Sequence, residues 1–109
     1  SARTATSYLI SKGHTEIGYL RGDFRIKPFR SRYVGYQTAL QKAGIVLNKK
    51  LIVTLGTTVD GAYEDMKKYL KTNQVLPTAF FADNDMIALG AKKDMSESGI
   101  RITEDVSSI

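Results

Sequence analysis

The stretch Pro77-Thr-Ala-Phe-Phe-Ala-Asp-Asn-Asp-Met-Ile-Ala-Leu-Gly-Ala91 places a short polar turn between two apolar segments. The first segment, Thr78 to Ala82, is short, aromatic and preceded by proline, which is typical of a buried strand. In the second segment the apolar residues recur at helical spacing from Ala88 to Met95. A strand that leads through one turn directly into a helix is part of a βαβ unit. The stretch therefore predicts an α/β fold.

The same alternation of strand and helix runs along the rest of the chain. Further strands are predicted at Ile17 to Leu20 and Leu51 to Leu55, with a fourth at Val106 to Ile109. They recur roughly every 30 residues, which is the size of a βαβ unit. Their apolar runs lack polar alternation, which favours parallel strands that are buried on both faces. We predict a three-layer α/β/α sandwich with a parallel sheet, whose helices contain the apolar series Ala2 to Leu9, Tyr33 to Ala43, Met66 to Leu70 and Ala88 to Met95.

Residues that end helices agree with this alternation. Gly13, Gly44 and Gly99 stand just past three of the helices, where a left-handed backbone is favoured, and Asn73 can end the other helix. The chain opens inside a helical pattern without a capping residue and closes on a strand that has barely begun. We therefore expect residues 1–109 to form a single unit that is one lobe of a larger protein.

The composition indicates a globular protein and excludes several classes of site. Apolar residues make up 42% and charged residues 25% of the 109 residues, which is the usual globular balance. Because there is no cysteine, a disulfide framework, a thiolate nucleophile and a cysteine-based metal site are excluded. No apolar run approaches the roughly 20 residues of a membrane helix. We expect no membrane partner and a cytoplasmic location.

The net charge of +5 is concentrated between Arg21 and Arg32, where five basic residues are accompanied by the single acidic residue Asp23. A basic segment attracts phosphate, so direct binding of nucleic acid is one alternative. The segment lacks the context of a helix-turn-helix, a zinc finger or a base-stacking platform that turns attraction into recognition. A solvated basic loop is the simpler interpretation.

Ligands of an open parallel sheet bind outside the carboxyl ends of its strands. Three predicted loops share that edge: the loop that starts at Arg21, the segment Gly56 to Asp60, and the turn Asp83 to Asp85. His14 precedes a strand and belongs to the opposite edge, so we expect it to anchor a loop rather than join a catalytic triad. The common catalytic motifs are absent from the sequence.

The polar residues of the third loop suggest different roles. Asp83 and Asp85 could hold Mg²⁺ as in haloacid-dehalogenase phosphatases, but Ile87 stands where that motif has Thr or Val. Asp85 is predicted to cap the following helix. Asn84 can both donate and accept hydrogen bonds, as a polyhydroxyl ligand requires, although a simple turn role also fits.

Arg32 opens the second predicted helix, where a cation opposes the helix dipole. Its guanidinium can grip two hydroxyls or a carboxylate, with a surface salt bridge as the alternative. Phe24 and Phe29 flank the basic loop and can stack on a sugar face or pin the loop down. Four tyrosines at helical spacing are expected mainly in the core: Tyr33, Tyr36, Tyr63 and Tyr69.

Four segments resemble the LacI/GalR family of bacterial transcription regulators, and they occur in the family's order. In this family a DNA-binding headpiece precedes a two-lobed, periplasmic-binding-protein-like effector domain. The resemblance implies that residues 1–109 are mainly the C-terminal lobe, and that the headpiece and most of the other lobe lie outside the chain. The segments are Tyr8-Leu-Ile-Ser-Lys-Gly-His-Thr-Glu-Ile-Gly-Tyr-Leu20, Arg32-Tyr-Val-Gly-Tyr-Gln-Thr-Ala-Leu40, Pro77 to Ala91, and Gly99-Ile-Arg-Ile-Thr-Glu-Asp-Val-Ser107.

Carried over by position, Arg32 and Asn84 would grip the effector in the cleft between the lobes. Asp85 would cap and orient its helix. Thr57 falls near a cleft-lining position that is often aromatic in the family, and Phe24 is our candidate for stacking on the ligand. Thr103 stands where many family members carry proline.

The resemblance implies a sugar or sugar-like effector, contact with operator DNA only through the missing headpiece, and no catalysis, cofactor or metal. It also implies a homodimer, formed in part by the helices around Tyr63 to Leu70 and Met86 to Met95. We expect Ala88, Gly90 and Ala91 to allow close approach there. A periplasmic sugar-binding protein of a transporter is the alternative, and a Mg²⁺-dependent phosphatase is the weaker one.

Overall fold

The computed structural model describes residues 1–23, 30–72 and 75–106. Helices and strands alternate through these ranges, as the sequence predicts. The predicted cap Asn73 lies outside them. Along the chain the elements are α1 (Ala2–Ser11), β1 (Ile17–Gly22), α2 (Arg30–Lys42), a 3-10 turn (Lys49–Leu51), β2 (Ile52–Leu55), α3 (Val59–Thr72), β3 (Ala79–Ala82), α4 (Asp85–Glu97) and β4 (Thr103–Val106).

All strand pairs are parallel, and the sheet has the order β2-β1-β3-β4. The central strand β1 pairs through Leu20 with Val53 of β2 and with Ala82 of β3. The predicted parallel sheet is therefore confirmed, and its strand order places β1 and β3 side by side at the centre.

Two helical layers cover the two faces of the sheet. On one face α1 and α2 pack over alternate strand residues, among them Tyr19 and Phe81. On the other face α3 and α4 pack over the intervening residues, among them Leu20 and Phe80. Because both faces are buried, the strands need no polar alternation, and the predicted three-layer α/β/α sandwich is confirmed. Of the tyrosines expected in the core, Tyr36 and Tyr69 are buried, and Tyr33 and Tyr63 are half-buried.

The glycines after α1, α2 and α4 have the backbone conformation that the sequence predicts. Gly13, Gly44 and Gly99 have φ values of 96°, 72° and 70°, in the left-handed region that favours glycine. The start of α1 differs from the prediction that it lacks a cap. The Ser1 hydroxyl accepts a hydrogen bond from the amide of Thr4 at 3.2 Å and so caps the helix.

The fourth strand begins earlier than predicted. It runs over Thr103–Val106, whereas the sequence pattern placed its start at Val106. The amide of Thr103 donates to the carbonyl of Thr78 at 3.3 Å and so joins the ladder with β3. A proline at position 103 has no N–H to donate, so threonine extends the pairing there.

The small residues of α4 pack inside this chain, which corrects their predicted place at a dimer surface. Ala88 and Ala91 are buried in the core against the sheet. A Cβ atom added to Gly90 would lie 2.3 Å from the carbonyl oxygen of Val59 on α3. The close approach is therefore between α3 and α4 of one chain.

Within the described ranges no helix is both long and apolar enough to cross a bilayer.

Candidate functional site

The strand order produces a topological switch point at the carboxyl ends of β1 and β3. From β1 the chain passes through α2 to β2 on one side, and from β3 it passes through α4 to β4 on the other side. Neighbouring strands whose connections diverge in this way form the switch point at which α/β sheets bind ligands. We call the residues that follow β1, β2 and β3 the rim: Asp23, residues 56–58, and residues 83–84.

Backbone hydrogen bonds bring the three parts of the rim together. The amide of Asp23 donates to the carbonyl of Leu55 at 2.8 Å, and the amide of Asp83 donates to the carbonyl of Leu20 at 3.1 Å. The pairing of β1 with both neighbours thus continues past the strand ends. The predicted grouping of these loops on one edge is correct for the described residues.

Arg32 lies in the first turn of α2 and is half-buried. Its positive charge lowers the pKa of Asp83 and the pKa of Tyr19, against the larger effect of burial. The guanidinium therefore lies within electrostatic reach of the buried centre of the rim. The role of Arg32 in gripping a ligand stays a prediction.

Asn84, and not Asp85, caps α4, so the predicted cap was wrong. Asn84 has the extended backbone of a capping residue, with φ −154° and ψ 173°, and its Oδ1 accepts a hydrogen bond from the amide of Ile87 at 3.0 Å. Asp85 is already the first helical residue and is exposed. Its carboxylate complements the positive end of the helix dipole without capping it.

The capping bond leaves the predicted ligand role of Asn84 chemically open. The bond uses the amide oxygen, whereas a ligand hydroxyl can accept from the two N–H groups on the same side chain. Asn84 is half-buried at the rim, where its side chain is within reach of solvent.

Thr57 lies in the rim segment between β2 and α3 and is half-buried. Its neighbours are held by hydrogen bonds on both sides. The Thr58 hydroxyl accepts from the amide of Gly61 at 2.9 Å, and the amide of Gly56 donates to the Asp65 carboxylate at 2.8 Å. Thr57 thus lies between two residues that are hydrogen-bonded to α3. Phe24, the predicted stacking residue, lies outside the described residues, as do Phe29 and the centre of the basic loop.

The buried position of Asp83 in the rim was not predicted from the sequence. Its side chain is fully buried. One carboxylate oxygen accepts a hydrogen bond from the Tyr19 hydroxyl, and the other accepts from the amide of Gly22 at 2.8 Å. Both oxygens are thus used inside the protein, which does not fit a solvent-facing Mg²⁺ ligand. Within the described ranges, no group of three or more His, Asp or Glu side chains could hold a metal ion.

The surroundings of Asp83 shift its titration in opposing ways. Burial raises the pKa of the Asp83 carboxyl, and this exceeds the lowering by Tyr19, Gly22, Arg32 and Arg21. Burial, followed by the hydrogen bond to Asp83 and the charge of Asp83, raises the pKa of the Tyr19 hydroxyl. The floor of the rim is therefore a buried carboxylate held by two donors.

His14 lies at the opposite edge of the sheet, as predicted. It precedes β1, and its Nδ1 forms a 2.8 Å hydrogen bond with the hydroxyl of Thr78, which precedes β3. The side chain joins the two loops at the amino ends of the central strands. This is the loop-anchoring role expected from the sequence.

Comparison with known proteins agrees with this architecture. Residues 6–109 match the model of the periplasmic binding protein-like domain. The chain is 37% identical over 105 residues to the HTH-type transcriptional repressor PurR of Haemophilus influenzae, covering 96% of this chain and 31% of the relative. The chain thus spans about a third of the length of the curated relatives that it matches.

Solved structures give the same result. A sugar-binding transcriptional regulator of the LacI family from Escherichia coli, complexed with phosphate, superposes with a TM-score of 0.82 at 35% identity, over 99% of this chain and 38% of that one. The complex of the transcriptional regulator CelR with cellobiose superposes with a TM-score of 0.81 at 29% identity, over 96% of this chain and 32% of that one.

The fold and the rim define one lobe of a periplasmic-binding-protein-like domain. The chain belongs to the periplasmic binding protein-like domain family. The proteins that it resembles include the repressor PurR and transcription regulators of the LacI family. These relatives and structural neighbours are regulators and not enzymes.

Proposed function

We propose that residues 1–109 are the C-terminal lobe of the effector-binding domain of a LacI-type regulator, and that the rim binds a sugar or sugar-like metabolite. The proposal is supported by Asn84, which follows the central strand β3 at the switch point, and by Arg32, which lies in the first turn of the helix that follows the central strand β1. Two structural neighbours are described as sugar-binding or as a cellobiose complex, which supports this ligand class.

The side chains of Asn84 and Thr57 in the rim, together with Arg32 and Phe24 outside it, suit a polyhydroxyl ligand. The Arg32 guanidinium can donate two parallel hydrogen bonds to neighbouring hydroxyls, and the N–H groups of Asn84 can donate to a third oxygen. Thr57 adds a hydroxyl on the β2 side of the rim. We assign Phe24 a stacking role against the sugar face, from its place in the sequence after β1.

The regulatory mechanism follows from the two-lobed architecture of such domains. An effector that binds between two lobes favours the closed arrangement over the open one, and the population shift changes the affinity of a linked DNA-binding headpiece. Operator DNA would therefore contact the headpiece and not this lobe. A regulator that binds operator DNA works in the bacterial cytoplasm.

A second copy of the chain is the partner that we assign to the outer surface of α4. Met86 and Leu89 are 51% and 57% exposed, although both are large and apolar. They lie three residues apart on one helix and thus on the same face. An exposed apolar helix face of this kind is suited to a homodimer contact.

The periplasmic transport alternative shares this fold and rim. The residues that precede Ser1 in the full gene distinguish the two functions: a helix-turn-helix supports the regulator, whereas a secretory leader supports transport.

A thermal-shift panel on the intact protein tests the effector site. Glucose, galactose, ribose and cellobiose are the probes, and we expect at least one to raise the melting temperature of the wild type. Arg32→Ala should abolish that shift. Asn84→Ser should reduce it while keeping the helix cap, because serine is also a good capping residue. Wild-type shifts in both variants would show that the ligand binds elsewhere.

A further inference from the structure

Asp83 is unusual among the described buried side chains. The other buried polar or charged residues there are Thr6 and Asp94, both within helices, whereas Asp83 lies under the rim. Burying a carboxylate costs free energy, and its hydrogen bonds offset this cost only in part. An apolar residue at position 83 would therefore stabilise the fold equally well. A role in the site accounts for a carboxylate at this position.

Three hydrogen bonds join Asp83 to β1. Its amide donates to the carbonyl of Leu20, its Oδ2 accepts from the amide of Gly22, and its Oδ1 accepts from the Tyr19 hydroxyl. The residue that follows is Asn84, whose extended backbone and capping bond to Ile87 depend on where the chain leaves β3. The bonds of Asp83 therefore fix the point from which the Asn84 side chain projects.

The charge of Asp83 acts on the other proposed ligand residue. Arg32 lies in the first turn of α2, where the helix dipole disfavours a cation. The charge of Arg32 is one of the effects that lower the pKa of Asp83, against burial, which raises it more. Arg21 on β1 is the other cation whose charge acts on Asp83, and Tyr19 is the titratable neighbour that donates to it.

We propose that Asp83, held by Tyr19 and Gly22, is the positioning residue of the rim, which fixes Asn84 through the backbone. This inference rests on the proposed effector site. Asp83 itself does not touch the ligand, because its side chain is fully buried.

A matched pair of tyrosine variants tests the proposal without a ligand. Tyr19→Phe removes the hydroxyl that donates to Asp83. Tyr36→Phe removes an equally buried hydroxyl that donates to the carbonyl of Ile17 at 2.6 Å, at the other end of β1. The readout is residue-resolved hydrogen exchange of the Ile87 amide, which reports the Asn84 cap in the intact protein.

We expect Tyr19→Phe to speed exchange at Ile87 by about tenfold, the effect of one lost buried hydrogen bond, and Tyr36→Phe to leave it unchanged. Equal exchange at Ile87 in Tyr19→Phe and in the wild type would overturn the proposal. So would equal acceleration in both variants, since that result would indicate general destabilisation.

A second experiment measures, as a function of pH, the affinity of the wild type and of Asp83→Asn for whichever sugar of the thermal-shift panel binds the wild type. The wild-type affinity should fall as Asp83 takes up a proton, at a pH above the ordinary aspartate pKa of 3.8 because burial raises the pKa of Asp83. Asp83→Asn should bind several-fold more weakly with a flat profile. If Asp83→Asn keeps the wild-type affinity and profile, the positioning role is wrong.

The two proposals fail in different ways. If Arg32→Ala binds the sugar as well as the wild type, or if no sugar binds, the assignment of the effector site fails, and the exchange experiment still decides whether Asp83 positions Asn84. If Arg32→Ala loses binding but Asp83→Asn does not, only the positioning role fails.

Discussion

Asn84 caps α4, and its contribution to stability can be separated from its proposed contribution to binding. Asn84→Ala removes the acceptor for the Ile87 amide, and we expect it to lower the free energy of unfolding by about 1 kcal/mol. Asn84→Ser should lower the free energy of unfolding by only a few tenths of 1 kcal/mol, because the serine hydroxyl can accept the same hydrogen bond. Urea denaturation of the 109-residue chain measures both values. Equal losses in the two variants would contradict the capping role.

The sequence alone could not assign the cap, because Asn and Asp are similarly good capping residues and stand next to each other at positions 84 and 85. The choice depends on backbone angles, which depend on where β3 ends. The buried position of Asp83 could not be predicted for a similar reason. Its partner Tyr19 is 64 residues away, and only the register of β1 against β3 brings the two together.

Glu104 on β4 makes stability depend on pH near neutrality. Burial raises the pKa of Glu104 from 4.5 to about 7, partly opposed by Lys92, and its Oε1 is buried without a hydrogen-bond partner among the described residues. The folded state therefore holds a proton that the unfolded state releases. The stability that protonated Glu104 contributes to the folded state is fully present below pH 4.5 and is lost as the pH rises to about 7.

Glu104→Gln tests this dependence. We expect the wild-type free energy of unfolding to fall by about 2 kcal/mol between pH 4.5 and pH 7.5 because of Glu104. This is less than the full pKa shift of Glu104 implies, because its side chain is partly exposed to solvent. The variant should lack that component. Denaturant titrations of both proteins across this range give the comparison, and parallel pH profiles would contradict the assignment.

At the scale of elements, the contact between α3 and α4 depends on Gly90. A Cβ there would meet the Val59 carbonyl oxygen at 2.3 Å and the Ala62 Cβ at 2.8 Å, so the helices would have to separate. We expect Gly90→Ala to lower the free energy of unfolding by about 1–2 kcal/mol, since overpacking outweighs the better helix propensity of alanine. Ser96→Ala, at an exposed position of the same helix, is the control and should be neutral or slightly stabilising. A stabilised Gly90→Ala variant would show that the contact is loose.

The strands and helices could be predicted because apolar runs and glycines mark them directly in the sequence. Gly13, Gly44 and Gly99 marked helix ends that the structure confirms. The start of β4 could not be predicted in this way. Its residues Thr103, Glu104 and Asp105 are polar, and they join the sheet because β3 offers a free edge.

At the scale of the whole molecule, each helical layer has an exposed apolar residue on its outer surface, but only the layer with α4 is assigned to the homodimer. Leu89 on α4 and Val34 on α2 are both exposed apolar residues, at 57% and 48%. We expect Leu89→Glu to dissociate the proposed homodimer of the intact protein and Val34→Glu to leave it intact, because only α4 is assigned to the interface. Sedimentation velocity at matched concentrations measures the oligomeric state. A dimeric Leu89→Glu variant would place the interface elsewhere.

The rim at the switch point follows from strand order, which the sequence did not specify beyond a parallel sheet. That order brings the turn at Asp83 and Asn84 next to the end of β1. Neither a motif nor the charge distribution predicts the buried hydrogen bonds that join Asp83 to Tyr19 and Gly22. The resemblance to LacI-type regulators selected Arg32 and Asn84; the structure has Asn84 at the end of β3 and Arg32 in the first turn of α2, and their role in binding a ligand stays a prediction.

The central claim is that Arg32 holds the effector, and calorimetric titration of the intact protein with the panel sugar that binds tests it most directly. We predict that Arg32→Ala lowers the affinity at least tenfold, about 1.4 kcal/mol, and that Arg32→Lys restores little because an ammonium cannot form the paired bonds of a guanidinium. Wild-type affinity in Arg32→Ala would contradict the account.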